Sequence, residues 1–113
     1  MEDVLEEIRR FRDERDWKQF HNPKDLAISI SIEAAELLEH FQWKAAGDVE
    51  RHVTDKKDQI SDEVADVAIY LFELADILGI DVKEAIRTKL KKNALKYPVE
   101  KAKGVSTKYT DFK

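Results

Sequence analysis

Glu33 and Glu36 stand three residues apart in the run LAISISIEAAELLEHF, and Glu63 and Asp66 repeat that spacing thirty residues later. At about 100° per residue an i, i+3 pair shares one stripe of a helix, so each pair presents two carboxylates side by side. Between Leu26 and Leu38 only Ser29, Ser31, Glu33 and Glu36 interrupt the apolar residues. A helix apolar on nearly all sides is a buried one, and an unpaired buried charge costs several kcal/mol. No basic residue lies within either pair, which points to a bound metal as the missing positive charge. An all-oxygen donor set suits Mg²⁺ or Mn²⁺, which bind carboxylates, water and phosphates together. Such a site does phosphoryl or nucleotidyl chemistry by polarising a phosphate and acidifying a bound water. Di-iron bundles instead use Glu-x-x-His, and none of His21, His40 or His52 has a Glu three positions before it.

The elements that must position these acids read as four helices. Residues 3–16 form the first, with Asp3 as N-cap, an apolar stripe of Val4, Leu5, Ile8 and Phe11, and a solvated face that includes Arg9, Arg12 and Asp13. An aromatic connector, Trp17 to Pro23, follows. Asn22-Pro23 opens the second helix, which runs to about Lys44 and stops near Gly47. Asp48 to Thr54 reads as a loop. The third helix spans about Thr54 to Leu78 and ends at Gly79, with Ile60, Val64, Val67, Leu71, Leu74 and Leu78 as its core seam. Glu63 falls beside that seam, Asp66 and Tyr70 follow on the adjoining strip, and Asp62 points to solvent. Asp81 and Glu84 fit a capping box for the fourth helix, which ends at Tyr97. Lys89, Asn93, Lys96 and Tyr97 share one of its faces. The tail 99–113 is either mobile or pinned by Tyr109 and Phe112. His40 and His52 read as surface residues. The fold class is all-α, a four-helix bundle in one domain.

Composition narrows the function classes. The chain has 113 residues and no cysteine, which excludes disulfides, thiolate metal sites and cysteine nucleophiles. No run approaches the roughly 18 apolar residues of a membrane span, and the acidic N-terminus is not a signal peptide, so a cytoplasmic protein is the expectation. Residues 1–82 carry 10 basic and 21 acidic side chains, a balance of −11. Residues 83–113 carry 10 basic and 3 acidic ones, a balance of +7. This asymmetry fits internal charge complementarity, or an acidic metal-binding part beside a basic part that faces phosphates. The overall net charge of −4 disfavours nucleic acid as a partner.

Glu33-x-x-Glu36 followed by Glu63-x-x-Asp66 resembles the signature of the MazG-like, all-α nucleoside triphosphate pyrophosphatases, and within them the dCTP pyrophosphatases. The resemblance extends to Glu14-Arg15-Asp16-Trp17, Gln19-Phe20-His21, Phe41-Gln42-Trp43-Lys44, Ile69-Tyr70-Leu71, Lys89, Asn93, Tyr97-Pro98 and Lys108-Tyr109-Thr110-Asp111. It implies Mg²⁺-dependent cleavage of a (d)NTP between the α and β phosphates, dCTP or a related pyrimidine dNTP first. Glu33, Glu36, Glu63 and Asp66 would hold metal and orient the attacking water. Lys89, Asn93, Lys96 and Tyr97 would contact the phosphates. Trp17 and Trp43 would pack about the base, with His21 and Tyr70 nearby. A homotetramer, a dimer of dimers, is implied as well. Two features depart from the vertebrate relatives: Ile8 stands where they carry a first-helix histidine, and the loop after Trp43 is shorter. From the residues alone, a non-catalytic helical interaction module, its acids meeting lysines of a partner, is the competing reading.

Overall fold

The structure, a computed structural model, describes residues 2–112 and is helical throughout its regular elements. In chain order these are α1 (Glu2–Glu14), a 3₁₀ turn (Lys18–Phe20), α2 (Pro23–Glu39), α3 (Ala46–Asp55), α4 (Lys57–Ile77), α5 (Val82–Lys96), α6 (Val99–Ala102) and a last 3₁₀ turn (Tyr109–Asp111). Two compact units divide them, one up to Ile80 and one from Asp81.

In the first unit α2 pairs with α4 along much of its length, and α1 and α3 lean on α4. The start of α2 is set locally. Asn22 caps it by accepting from the Asp25 N–H at 2.9 Å, and Pro23 occupies the first helical position. Such a cap contributes about 1 kcal/mol. Four residues on, Leu26 is 1% exposed and anchors the helix pair; burying a leucine contributes about 2 kcal/mol. At the far end of α4, Gly79 adopts φ 69°, the left-handed conformation that ends a helix at little cost to a glycine.

Four expectations are corrected. Asp3 lies within the first turn of α1, which already runs at Glu2, so it does not cap the helix. α2 ends at Glu39, and the chain then turns through His40 to Lys44 with Trp43 at φ 64°. The stretch expected as a loop is α3, whose C-cap Lys56, at φ −116° and ψ 23°, interrupts the helical path before α4 begins. On α4, half of the expected seam faces outward: Val64, Leu71 and Leu78, seven residues apart, are all about half exposed. The buried positions are Glu73 and Ala75. Helix α2 leaves apolar residues exposed as well (Ile28, Ile32, Leu38).

The first unit therefore has a small apolar core (Ile8, Leu26, Ala75) and a polar one beside it. Arg12, expected on a solvated face, is 3% exposed. Its Nε donates to Asp13 at 2.8 Å and its Nη1 lies 3.8 Å from Asp76 Oδ2. Arg9 Nε donates to the same Asp76 carboxylate at 3.1 Å, tying α1 to the end of α4. The guanidinium groups hold the Asp13 and Asp76 carboxyls below the usual carboxylate range.

In the second unit, Asp81 caps α5 by accepting from the Glu84 N–H at 3.1 Å. The tail is pinned: Tyr97 meets Tyr109 and Phe112 edge-on, both with ring centroids 5.7 Å apart.

Candidate metal and nucleotide site

On α2 and α4 the i, i+3 spacing does what helical geometry requires. Glu33 and Glu36 from one helix and Glu63 from the other bring a carboxylate oxygen each to within 4.8 Å of one another. One oxygen each of Glu33 and Glu63 is shielded from solvent and has no hydrogen-bond partner. Shielding, then the neighbouring Glu36, Asp66 and Glu63, pushes the Glu33 carboxyl up to about 7. The Glu63 carboxyl is raised too, by desolvation first and by Glu36 next. Mutual repulsion of this kind is relieved by a divalent cation, and an all-oxygen set fits Mg²⁺ or Mn²⁺. The residues present fit the group. Asp66 stands outside the tight group of three but acts electrostatically on Glu33, Glu63 and Tyr70. Asp62 is exposed, as its angle on the helix requires.

The acids have different neighbours at their two ends. Glu36 bears most strongly on Glu63, whereas Glu33 bears on Tyr70. Toward the start of α2 lies a chain of rings. Trp17 stands edge-on to Phe11 at 5.8 Å and 6.3 Å from His21, and His21 stands edge-on to Tyr70 at 6.2 Å. The Tyr70 phenol is raised by burial, then by Glu33, Glu73 and Asp66. Below the rings, Glu73 is 3% exposed, and its Oε2 makes an ion-pair contact of 3.1 Å with His21 Nδ1. Burial raises the Glu73 carboxyl, while His21 and Arg12 pull it back.

Toward the end of α2, carboxylates stand beside a lysine and two histidines. A cavity of about 420 Å³ is lined by Glu36, Glu39, His40, Lys44, His52 and Glu63. The His40 and His52 rings lie 5.8 Å apart, and Phe41 stands edge-on to His52 at 6.3 Å. Burial, with Lys44 and His40 next, lowers the His52 imidazole below its ordinary value.

The structure thus gathers Trp17, His21 and Tyr70 at one end of the acids. Trp43 is 92% exposed with no ring partner among the described residues, so it is not part of this chain's core. Lys89, Asn93 and Lys96 lie on α5 and Tyr97 is its C-cap, in the second unit, where Lys96 Nζ sits 4.9 Å over the Tyr109 ring. Sequence reasoning missed Glu73, His40 and His52. Glu73 was within reach, since 63, 66, 70 and 73 form one i, i+3, i+7, i+10 stripe. The histidines were not, because His52 lines the cavity only once residues 46–55 are helical.

Known proteins resemble this chain in sequence and fold. Residues 28–112 match the model of the MazG-like family. The chain is 39% identical over 117 aligned positions to dCTP pyrophosphatase 1 of Rattus norvegicus and 38% identical to that of Homo sapiens, in each case covering 98% of this chain and 69% of the relative. A crystal structure of a pyrophosphatase from Archaeoglobus fulgidus superposes with a TM-score of 0.84 at 46% identity, covering 87% of this chain and 92% of the other.

Proposed function

The chain belongs to the MazG-like family, and from that premise we propose that it is a nucleoside triphosphate pyrophosphohydrolase, cleaving (d)NTP to (d)NMP and pyrophosphate. The observation that carries this reading is the convergence of Glu33, Glu36 and Glu63 from two helices with no basic side chain among them. Glu33, Glu36, Glu63 and Asp66 would hold Mg²⁺, with Mn²⁺ as a substitute. When bound, the cation neutralises phosphate oxygens and acidifies water. The chain's own residues do the rest. A carboxylate of the cluster takes the proton of the attacking water, and Trp17, with His21 and Tyr70, supplies π faces against which a base packs. Trp43, Lys89, Asn93, Lys96 and Tyr97 complete the substrate contacts by resemblance. The rat and human relatives are dCTP pyrophosphatases, so dCTP or a related pyrimidine dNTP is the preferred substrate, and nucleotide pool sanitation in the cytoplasm the role. No helix among the described residues is long and apolar enough to cross a membrane.

A panel of common and 5-modified dNTPs and NTPs, read by pyrophosphate release, tests this. The expected result is pyrophosphate with a matching monophosphate, dCTP or its 5-substituted forms leading. Release of single phosphates, or no turnover with either metal, would remove the proposal.

The exposed apolar rows on α2 and α4 support assembly. Ile28, Ile32, Leu38, Val64, Leu71 and Leu78 are each about half exposed or more, and apolar side chains left uncovered in such number favour burial between subunits. A homotetramer, a dimer of dimers, would have two kinds of interface with which to cover such rows. Light scattering is expected to give four times the 13.2 kDa chain mass at micromolar concentration; a monomer would rule this out.

A further inference from the structure

We propose that Glu73 is a positioning residue for His21: its carboxylate keeps a proton on Nδ1 of the imidazole and fixes the ring, leaving Nε2 as the nitrogen that faces a ligand. Only the identity of that ligand, a nucleotide, rests on the reaction proposed above. Glu73 is 3% exposed, and a buried carboxylate is costly unless something repays its desolvation. The helix does not require it, since an apolar residue at 73 continues α4 equally well. Arg12 does not require it either, because its Nε donates to Asp13 and its Nη1 lies toward Asp76. What Glu73 Oε2 reaches is His21 Nδ1, at 3.1 Å. Both atoms are shielded from solvent, and neither has another hydrogen-bond partner among the described residues.

An ionised carboxylate only accepts, so the contact requires the proton on Nδ1, whether the ring is neutral or charged. Burial raises the Glu73 carboxyl, but His21 and the permanently charged Arg12 draw it back toward the ionised form. The imidazole needs such a hold because its own backbone gives little. His21 stands outside the helices, just past the 3₁₀ turn at φ −96° and ψ 66°, tied there by its N–H to Lys18 O at 3.1 Å. The side chain is fixed from α4 instead. Tyr70 meets the ring edge-on, and Glu73, three residues on along the same stripe, takes Nδ1. Trp17 lies 6.3 Å away, tilted to it. A ring held through one nitrogen and between two aromatic neighbours cannot turn over without breaking the Glu73 contact. Nε2 therefore keeps one position, and a ligand that uses it meets a group already in place, which spares the cost of ordering it on binding.

Nitrogen-15 NMR of His21 in the wild-type protein at pH 8 reads the proton's position directly and needs neither a variant nor turnover. The expected spectrum has Nδ1 protonated; a bare Nδ1 with the proton on Nε2 would overturn the proposal. Glu73→Leu, with melting curves as the check on folding, then tests what the position is for. Calorimetry in Mg²⁺ is expected to show dCMP weakened about tenfold, the size of one misplaced hydrogen bond. Inorganic pyrophosphate, which has no base, should bind the variant as it binds wild type. An unchanged dCMP affinity, or an equal loss for both ligands, would show that Glu73 serves the fold and not the ring. Absence of dNTP turnover in wild type would defeat the proposed reaction instead, and the NMR result does not depend on it.

Discussion

Glu33→Gln, Glu36→Gln and Glu63→Gln are each expected to lower pyrophosphate release about a hundredfold or more, because each removes a charged oxygen donor from the cluster. None should melt lower than wild type in EDTA, since the acids repel one another without a cation. Glu33→Gln carries a further signature. The folded carboxyl sits at about 7 against 4.5 for the free group. Between those values the folded chain holds a proton that the unfolded chain has lost, so stability falls as pH rises from 4.5 through 7. His52, lowered on folding, works in the opposite direction below its ordinary value of 6.5. The quantity to measure is therefore the difference between wild type and Glu33→Gln, as melting temperature against pH in EDTA. The wild type should fall relative to Glu33→Gln on going from pH 5 to pH 8, and saturating Mg²⁺ should cancel that fall. A difference that is flat across this range would show that Glu33 is not crowded by acids.

Arg12→Ala is expected to cost about 3 kcal/mol or more of unfolding free energy, the typical penalty for removing one partner from a buried charge group. The side chain is 3% exposed and stands among Asp13, Asp76 and the buried Glu73. Loss of the guanidinium leaves Glu73 with His21 alone. Glu73→Gln in the Arg12→Ala background should then recover part of the loss, by about 1 kcal/mol at pH 8 in a double-mutant cycle. Additive effects in urea unfolding would show that the two residues are not coupled.

The parts of this molecule legible in the sequence are those whose causes are local. Asn22-Pro23 starts α2, Asp81 caps α5 and Gly79 follows α4 because each supplies a hydrogen bond or a backbone angle within a few residues. The acid cluster was legible for a related reason: two i, i+3 pairs need only two helices side by side to converge. Other features depend on what those helices meet. Arg12 shares the pattern of the exposed Arg10 and is buried only because Asp76 and Glu73, more than sixty residues away, come to it. Val64, Leu71 and Leu78 carry a flawless core period yet face outward, since periodicity fixes which residues share a face and not what covers it. The 46–55 helix has only Val49 and Val53 at helical spacing and a start without a side-chain cap, too weak a signal against the short charged sequence around it.

Trp43 combines near-complete exposure with φ 64°. A bulky side chain in the left-handed region costs about 1–2 kcal/mol, and glycine or asparagine would relieve it. At this position, then, selection for a durable fold and selection for an indole pull in opposite directions. Variants recovered for heat resistance alone would drift toward Gly or Asn at 43. A lineage under selection for turnover, on the proposed role of the indole in packing about the base, would keep the tryptophan and draw its stability from elsewhere.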